Sequence, residues 1–312
     1  MSVNLLLSYA FHRRTDLAAV RRDLVCGRLL IDSGAFSAGS KPVQLDDYAA
    51  YLQRWSGYWD HAVTLDVIGD PTASRVNTRR LHTRGLPVMP VFTRNDTLPE
   101  FDAMVRDCRY VAVGGLVGLP RRVQLARVAM LQRRAAELGG GVHALGIGSL
   151  AIIRASRCYS ADASTVTSVF RYGTVVYFTG RDLRQAVMTH RARWVRDRDH
   201  MRDHGIDLAP LLARGRMPKP SEGPARDELV QAMTFAYAAA DEYLKTITPV
   251  PAPTPSEPAG PHLYTAANST GIAASAVCDR LIHTTGAVLP RIWDRYGRSH
   301  RCHVRELAHA AN

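Results

Sequence analysis

Short apolar runs alternate with longer amphipathic stretches over residues 1–180. The runs are VNLLLSYA (3–10), RLLIDSGAF (28–36), HAVTLDVIG (61–69), LPVMPVF (86–92), YVAVGGLVG (110–118), GVHALGIGS (141–149), CYSADAS (158–164) and TVVYFTG (174–180). Continuous Val, Ile and Leu of this length suits strands buried on both faces. Between them, residues 45–55, 71–84 and 120–138 read as helices, with Pro71 and Pro120 suited to first-turn positions. Strands alternating with helices predict an α/β chain folded as a (β/α)8 TIM barrel. A doubly wound open sheet is the alternative. Residues 181–204 and 224–246 read as further helices. TPVPAPTPSEPAGP (248–261), with six prolines, reads as a semi-rigid extended linker. The expected organisation is a barrel with trailing helices over 1–247, a linker over 248–261, and a basic C-terminal module or arm over 262–312.

Polar residues and glycines collect just past the predicted strands: Asp32-Ser33-Gly34, Asp66, Gly114-Gly115, Gly146-Ile147-Gly148 and Asp162. In a parallel barrel the C-terminal strand ends share one face, so these groups converge there. One such aspartate is a good helix N-cap. Three at one face exceed what capping asks. Clustered carboxylates push their pKa values apart, which suits one nucleophile and one general acid/base in glycosidic-bond chemistry with retention. The stretch Gly114-Gly115-Leu116-Val117-Gly118 permits close backbone approach, so its N–H groups can bind a carbonyl oxygen or an anion; a tight turn is the plainer reading. His143 reads as a buried, hydrogen-bonded strand histidine or as a group of the site.

Charge adds a candidate partner. The formal net charge is +12, and only Lys41, Lys219 and Lys245 are lysines. Such an arginine-rich surface attracts polyanions, and guanidinium forks onto phosphate oxygens. Arg75, Arg79, Arg121 and Arg122, around the expected barrel mouth, are candidate phosphate contacts or solvated helix charges. The arginines of 181–204 carry the same two readings. A 46% hydrophobic, 22% charged composition excludes a mostly disordered chain. No apolar run approaches 18 residues, so no transmembrane helix is expected. The N-terminus reads as a buried strand rather than a signal peptide. Five cysteines without a CxxC pair do not form a disulfide framework. A cytoplasmic protein is expected. Cys278, His283, Cys302 and His303, with His300 nearby, lack the spacing of a common zinc site, so no metal is expected.

In this order, LLIDSGAF, LDVIGDP, VMPVF, VAVGGLVG, HALGIGS and SADAS resemble the guanine transglycosylase superfamily, and most closely its DNA-acting, DpdA-type members from phages and bacterial modification clusters. The resemblance covers about residues 3–180. It implies a barrel enzyme that exchanges guanine in DNA for a 7-deazaguanine base such as preQ0. By motif, Asp162 matches the nucleophile and Asp32 the general acid/base. Asp66 matches the aspartate that reads the guanine edge, with Asp70 as its rival. Gly114, Gly115 and Leu116 match the segment that binds the base carbonyl. Ser33, Gly34, Phe36, His143 and Gly146, in the same motifs, complete the expected base site. The chain departs from the tRNA-acting bacterial enzymes in lacking their CxCxxC zinc insert. Phe92-Thr93-Arg94-Asn95 also stands where a glutamine-glycine segment is typical. The expected partners are DNA and the free 7-deazaguanine base as co-substrate, with no other cofactor and no membrane; a second copy of the chain is a candidate. A tRNA-guanine transglycosylase and a non-catalytic nucleic-acid-binding barrel subunit are the alternatives.

Overall fold

The computed structural model describes residues 3–23, 26–36, 42–163, 173–187, 189–203, 206, 208–216 and 223–267. Eight of its ten strands form one all-parallel, curled sheet: β1 (Val3–Ser8), β2 (Cys26–Asp32), β3 (His61–Ala62), β4 (Val91–Phe92), β5 (Tyr110–Val113), β6 (Gly141–Ala144), β7 (Ser160–Ala163) and β10 (His262–Ala267). Their order is β3-β2-β1-β10-β7-β6-β5-β4, so every strand lies beside its neighbour in the sequence of sheet strands. The two edge strands meet at a single parallel bridge, Val63 to Met89. There the Thr64 N–H donates to the Met89 carbonyl at 2.8 Å, and the Met89 N–H donates to the Ala62 carbonyl at 2.7 Å.

Helices follow the strands: α1 (Tyr9–His12), α2 (Leu17–Asp23), α3 (Leu45–Arg54), α4 (Pro71–His82), α5 (Leu98–Cys108), α6 (Arg121–Glu137) and α7 (Leu150–Ser156). Their starts are written locally. Asp70 caps α4 through the Ala73 N–H, with Pro71 in the first turn. Thr97 and Glu100 form a reciprocal capping box on α5. Pro120 is the N-cap of α6, one position earlier than a first-turn proline.

The period-2 alternation of the strands separates two kinds of core. Leu29 and Ile31 of β2 join Leu5 and Leu7 of β1 in the layer between sheet and helices. Val111, Val113, Val142, Ala144, Ala161 and Ala163 do the same on the other half. The opposite set, Leu6, Leu30, Val63, Met89, Val91, Tyr110, Ala112 and Tyr264, forms a cluster of its own. It draws on both edge regions of the sheet, which requires that the sheet curl around it. The inward-facing set continues at both ends of the strands with polar residues, Arg28 at one end of β2 and Asp32 at the other.

Two expectations are corrected. TVVYFTG is not a strand of the parallel sheet. Its residues form β8 (Thr174–Phe178), which pairs antiparallel with β9 (Leu183–Val187) in a separate hairpin. A helix over 181–204 is thus replaced by β9, α8 (Arg191–Arg196) and α9 (Arg198–Asp203), and α10 (Leu208–Arg214) follows. An apolar run of five or six residues carries no signal for which sheet it joins. The eighth parallel strand is β10, between β1 and β7. The first residues of the expected basic arm therefore lie inside the sheet; 268–312 lie outside the described residues.

The expected linker is a folded cap under the same end of the sheet. Val250 and Gly260 pair antiparallel, and Val250 is buried in the interior cluster. Glu257 accepts from the Tyr159 hydroxyl at 2.6 Å and lies 3.3 Å from Arg28 and 3.2 Å from His61. The 25-residue α11 (Gly223–Ile247) leads into this cap. Leu229, Ala232, Met233, Ala236, Tyr237, Ala240 and Leu244 follow helical spacing and are buried against the sheet. Asp241 on the same helix accepts from the Leu263 N–H at 2.7 Å, pinning β10.

Candidate functional site

Three aspartates come from separate strand ends. Asp32 is the last residue of β2, and the chain turns at once: the Gly34 N–H donates back to Asp32 Oδ2 at 2.9 Å. Gly34 has φ +77°, and a Cβ there would collide with Ser8 Oγ and Ala10 Cβ. Only glycine fits this turn beside the end of β1. Asp66 follows β3 and is half-buried; the Ser33 hydroxyl donates to it. Asp162 is the third residue of β7 and is buried. Its Oδ1 accepts from the Gly146 N–H at 2.8 Å and lies 3.3 Å from His143 Nε2. Gly146 has φ +72°, and a Cβ on it would meet Val117 Cγ2 at 2.5 Å.

Asp32 feels both of the other carboxyls. Burial, then the charges of Asp66 and Asp162, raise the Asp32 carboxyl to about 7, against the opposing bonds from Gly34 and Ser33. Burial raises Asp66 as well, with the Ser33 hydroxyl opposing. A carboxyl held near 7 next to others is poised to carry a proton in both directions at neutral pH.

The remaining expected residues divide. Asp70 caps α4 through a 2.9 Å bond from the Ala73 N–H and is exposed, which accounts for it structurally and leaves Asp66 as the carboxylate beside Ser33. Gly114 is buried, and a Cβ on it would press on Val91 Cγ1 at 3.2 Å. The Leu116 side chain is buried in the outer core, so only its backbone is offered at the strand end. Gly115 has φ +67°, and neither its N–H nor that of Leu116 is hydrogen-bonded among the described residues. Phe36 is 85% exposed, and apolar Phe11 in α1 and Ile68 and Val117 on the loops after β3 and β5 are exposed as well. Phe36 was expected at the site; Ile68 and Val117 were missed, because in the sequence each reads as the tail of a strand, and Phe11 was not singled out.

His143 does not face the opening. It is fully buried, with Nδ1 against Ser160 Oγ and its ring edge-on to Tyr110 and Tyr264. Nor are the four arginines equivalent. Arg75 is committed to Asp96 at 2.6 Å and Glu100 at 2.9 Å. Arg121 donates to Ser149 Oγ at 2.5 Å. Arg79 and Arg122 are exposed.

No group of three or more His, Cys, Asp or Glu side chains placed to hold a metal ion occurs among the described residues. Cys278, His283, His300, Cys302 and His303 lie outside them. No helix among the described residues is long and apolar enough to cross a membrane. The chain matches no protein-family model and no curated protein.

Proposed function

We propose that the chain is a (β/α)8-type DNA-guanine transglycosylase, exchanging guanine for a 7-deazaguanine base through a covalent Asp162–deoxyribose intermediate. The observation that carries the reading is the asymmetry of the carboxyls. Asp32 is raised to about 7 by burial and by Asp66 and Asp162, while Asp162 has one oxygen fixed by the Gly146 N–H. The identity of the base and the nucleic acid rests on the motif resemblance; the chemistry rests on these groups.

In the first step Asp162 Oδ2 attacks C1′ of the target nucleotide, the C1′–N9 bond breaks, and guanine leaves with the proton held by Asp32. In the second, Asp32, now a carboxylate, takes the N9 proton of the incoming base. That base attacks C1′ and the Asp162 ester bond breaks. Two inversions give retention. Asp66 can accept from the N1–H and 2-amino group of guanine. The N–H groups of Gly115 and Leu116 are donors for its carbonyl oxygen. A duplex hides C1′, so the nucleotide must be flipped or already single-stranded.

The test is to mix protein and guanine-containing DNA without incoming base, denature, and look for a protein–DNA adduct. Wild type forms the adduct, and Asp162→Ala, still folded by circular dichroism, does not. An adduct with tRNA instead of DNA moves the substrate. An adduct that survives Asp162→Ala and vanishes with Asp32→Ala exchanges the two roles.

A further inference from the structure

Beneath Asp162 lies a run of buried polar groups that the exchange chemistry above does not use. Tyr110 on β5, His143 on β6 and Ser160 on β7 all face the sheet interior. The Tyr110 hydroxyl is hydrogen-bonded to Ser160 Oγ, and Ser160 Oγ to His143 Nδ1. His143 Nε2 then lies 3.3 Å from Asp162 Oδ1, close but not aligned as a hydrogen bond, and makes no hydrogen bond among the described residues. Strand register makes this possible: His143 and Ser160 are direct partners in the β6–β7 ladder, and Ala112 pairs with His143 across β5–β6. Ser160 and His143 are fully buried and Tyr110 nearly so.

We propose that Tyr110, Ser160 and His143 form a positioning relay that fixes the rotamer of Asp162 and selects the oxygen that reacts. The inference rests on the reading of Asp162 as nucleophile. The directions of the bonds follow from chemistry. A lone pair on His143 Nε2 facing an ionised carboxylate is repulsive, so Nε2 carries the proton and points it at Oδ1. A neutral imidazole carries a single N–H, so with Nε2 protonated Nδ1 is left as an acceptor. Ser160 donates to Nδ1 and in turn accepts from Tyr110, whose phenol burial keeps protonated. A carboxylate whose Oδ1 accepts from the Gly146 N–H and is faced at 3.3 Å by a protonated His143 Nε2, a small ring rotation short of a second bond, presents Oδ2. The imidazole thus acts on a nucleophilic carboxylate as outer groups act on metal-bound histidines, by orientation.

Two measurements test this separately from the nucleophile itself. Nitrogen NMR on histidine-labelled protein, with His143 assigned by difference from His143→Gln, should show a proton on Nε2 and none on Nδ1. Ser160→Ala should disturb that tautomer. In single-turnover adduct formation, His143→Phe should slow the step by about 10- to 100-fold, the loss of one hydrogen bond to a charged group. His143→Gln, which keeps a donor at the Nε2 position, should recover most of the rate. Tyr110→Phe and Ser160→Ala should each fall between. An Nδ1–H tautomer, or equal rates for His143→Phe and His143→Gln, would overturn the relay. If wild type forms no adduct with any nucleic acid, the nucleophile reading fails, and the tautomer measurement still decides whether the relay exists.

Discussion

At the scale of single residues, Asp32 makes the clearest demand on the fold. Its carboxyl is raised to about 7 from an ordinary 3.8. Folded chains therefore hold a proton that unfolded chains release above pH 4. Stability is present below the unfolded value and is lost as pH rises from about 4 to about 7, by at most about 4 kcal/mol. Asp32→Asn removes the titrating group. Thermal melts should show the variant as stable as wild type near pH 4 and more stable at pH 8, with base exchange abolished. A variant that loses to wild type at pH 8 would show that the carboxylate is welcomed by neighbours rather than strained. The aspartates were legible because carboxylates directly after apolar runs lie at strand C-terminal ends whichever sheet forms. The place of His143 was not. Its partner Ser160 is 17 residues away, and only the β6–β7 register brings them together. The ion pairs of Arg75 were hidden for a related reason: Asp96 and Glu100, which face it, lie across a strand and a loop.

At the scale of elements, the sequence reveals seven of the eight parallel strands and misassigns the last. TVVYF has the continuous apolar character of a doubly buried strand, and β8 is indeed fully buried, but against α11 and its hairpin partner. HLYTAA carries His and Thr and follows six prolines, which is how the start of an appended arm reads. Its membership in the sheet depends on partners more than 90 residues away: Asn4, Leu5, Leu6 and Leu7 on one side, Ser160 to Ala163 on the other. No local periodicity reports such pairing. The expected consequence is testable by truncation. A chain ending at Thr248 loses β10 and the cap, leaves β1 and β7 with unpaired edges, and exposes the Tyr264 side of the interior. It should be insoluble or lack cooperative melting. A chain ending after Ala267 keeps both and should melt cooperatively. If the chain ending at Thr248 melts like the longer one, β10 does not contribute to the sheet in solution.

At the scale of the whole molecule, the two ends of the sheet respond to pH in opposite senses. The mouth, through Asp32, favours acid. The base, built from Arg28, His61, Tyr159, His262 and the Glu257 cap, favours neutrality. Burial alone would raise Glu257; bonds and charge from His61, the Tyr159 hydroxyl and Arg28 outweigh it and hold the carboxyl at about 2. Its stabilisation is present above the unfolded value near 4.5 and is lost as pH falls from there to about 2, at most about 3 kcal/mol. His262, lowered to about 3 by burial and by the nearby Arg28 and Lys245 charges, must stay neutral, so its share is present above about 6.5 and is lost as pH falls from there to about 3. Between pH 4 and 6.5 the losses at His262 offset the gains at Asp32. Below pH 4 Asp32 contributes nothing further and both base groups pull the same way. Wild type should therefore hold a near-level stability across that window and fall steeply below it. Glu257→Gln keeps the size of the side chain and removes the charge that Arg28 faces. It should lower the melting temperature at pH 7 and flatten the acid limb between about 4.5 and 2. A variant with the wild-type melting temperature at neutral pH and an unchanged acid limb would show that the proline-rich segment merely lies against the sheet instead of locking it.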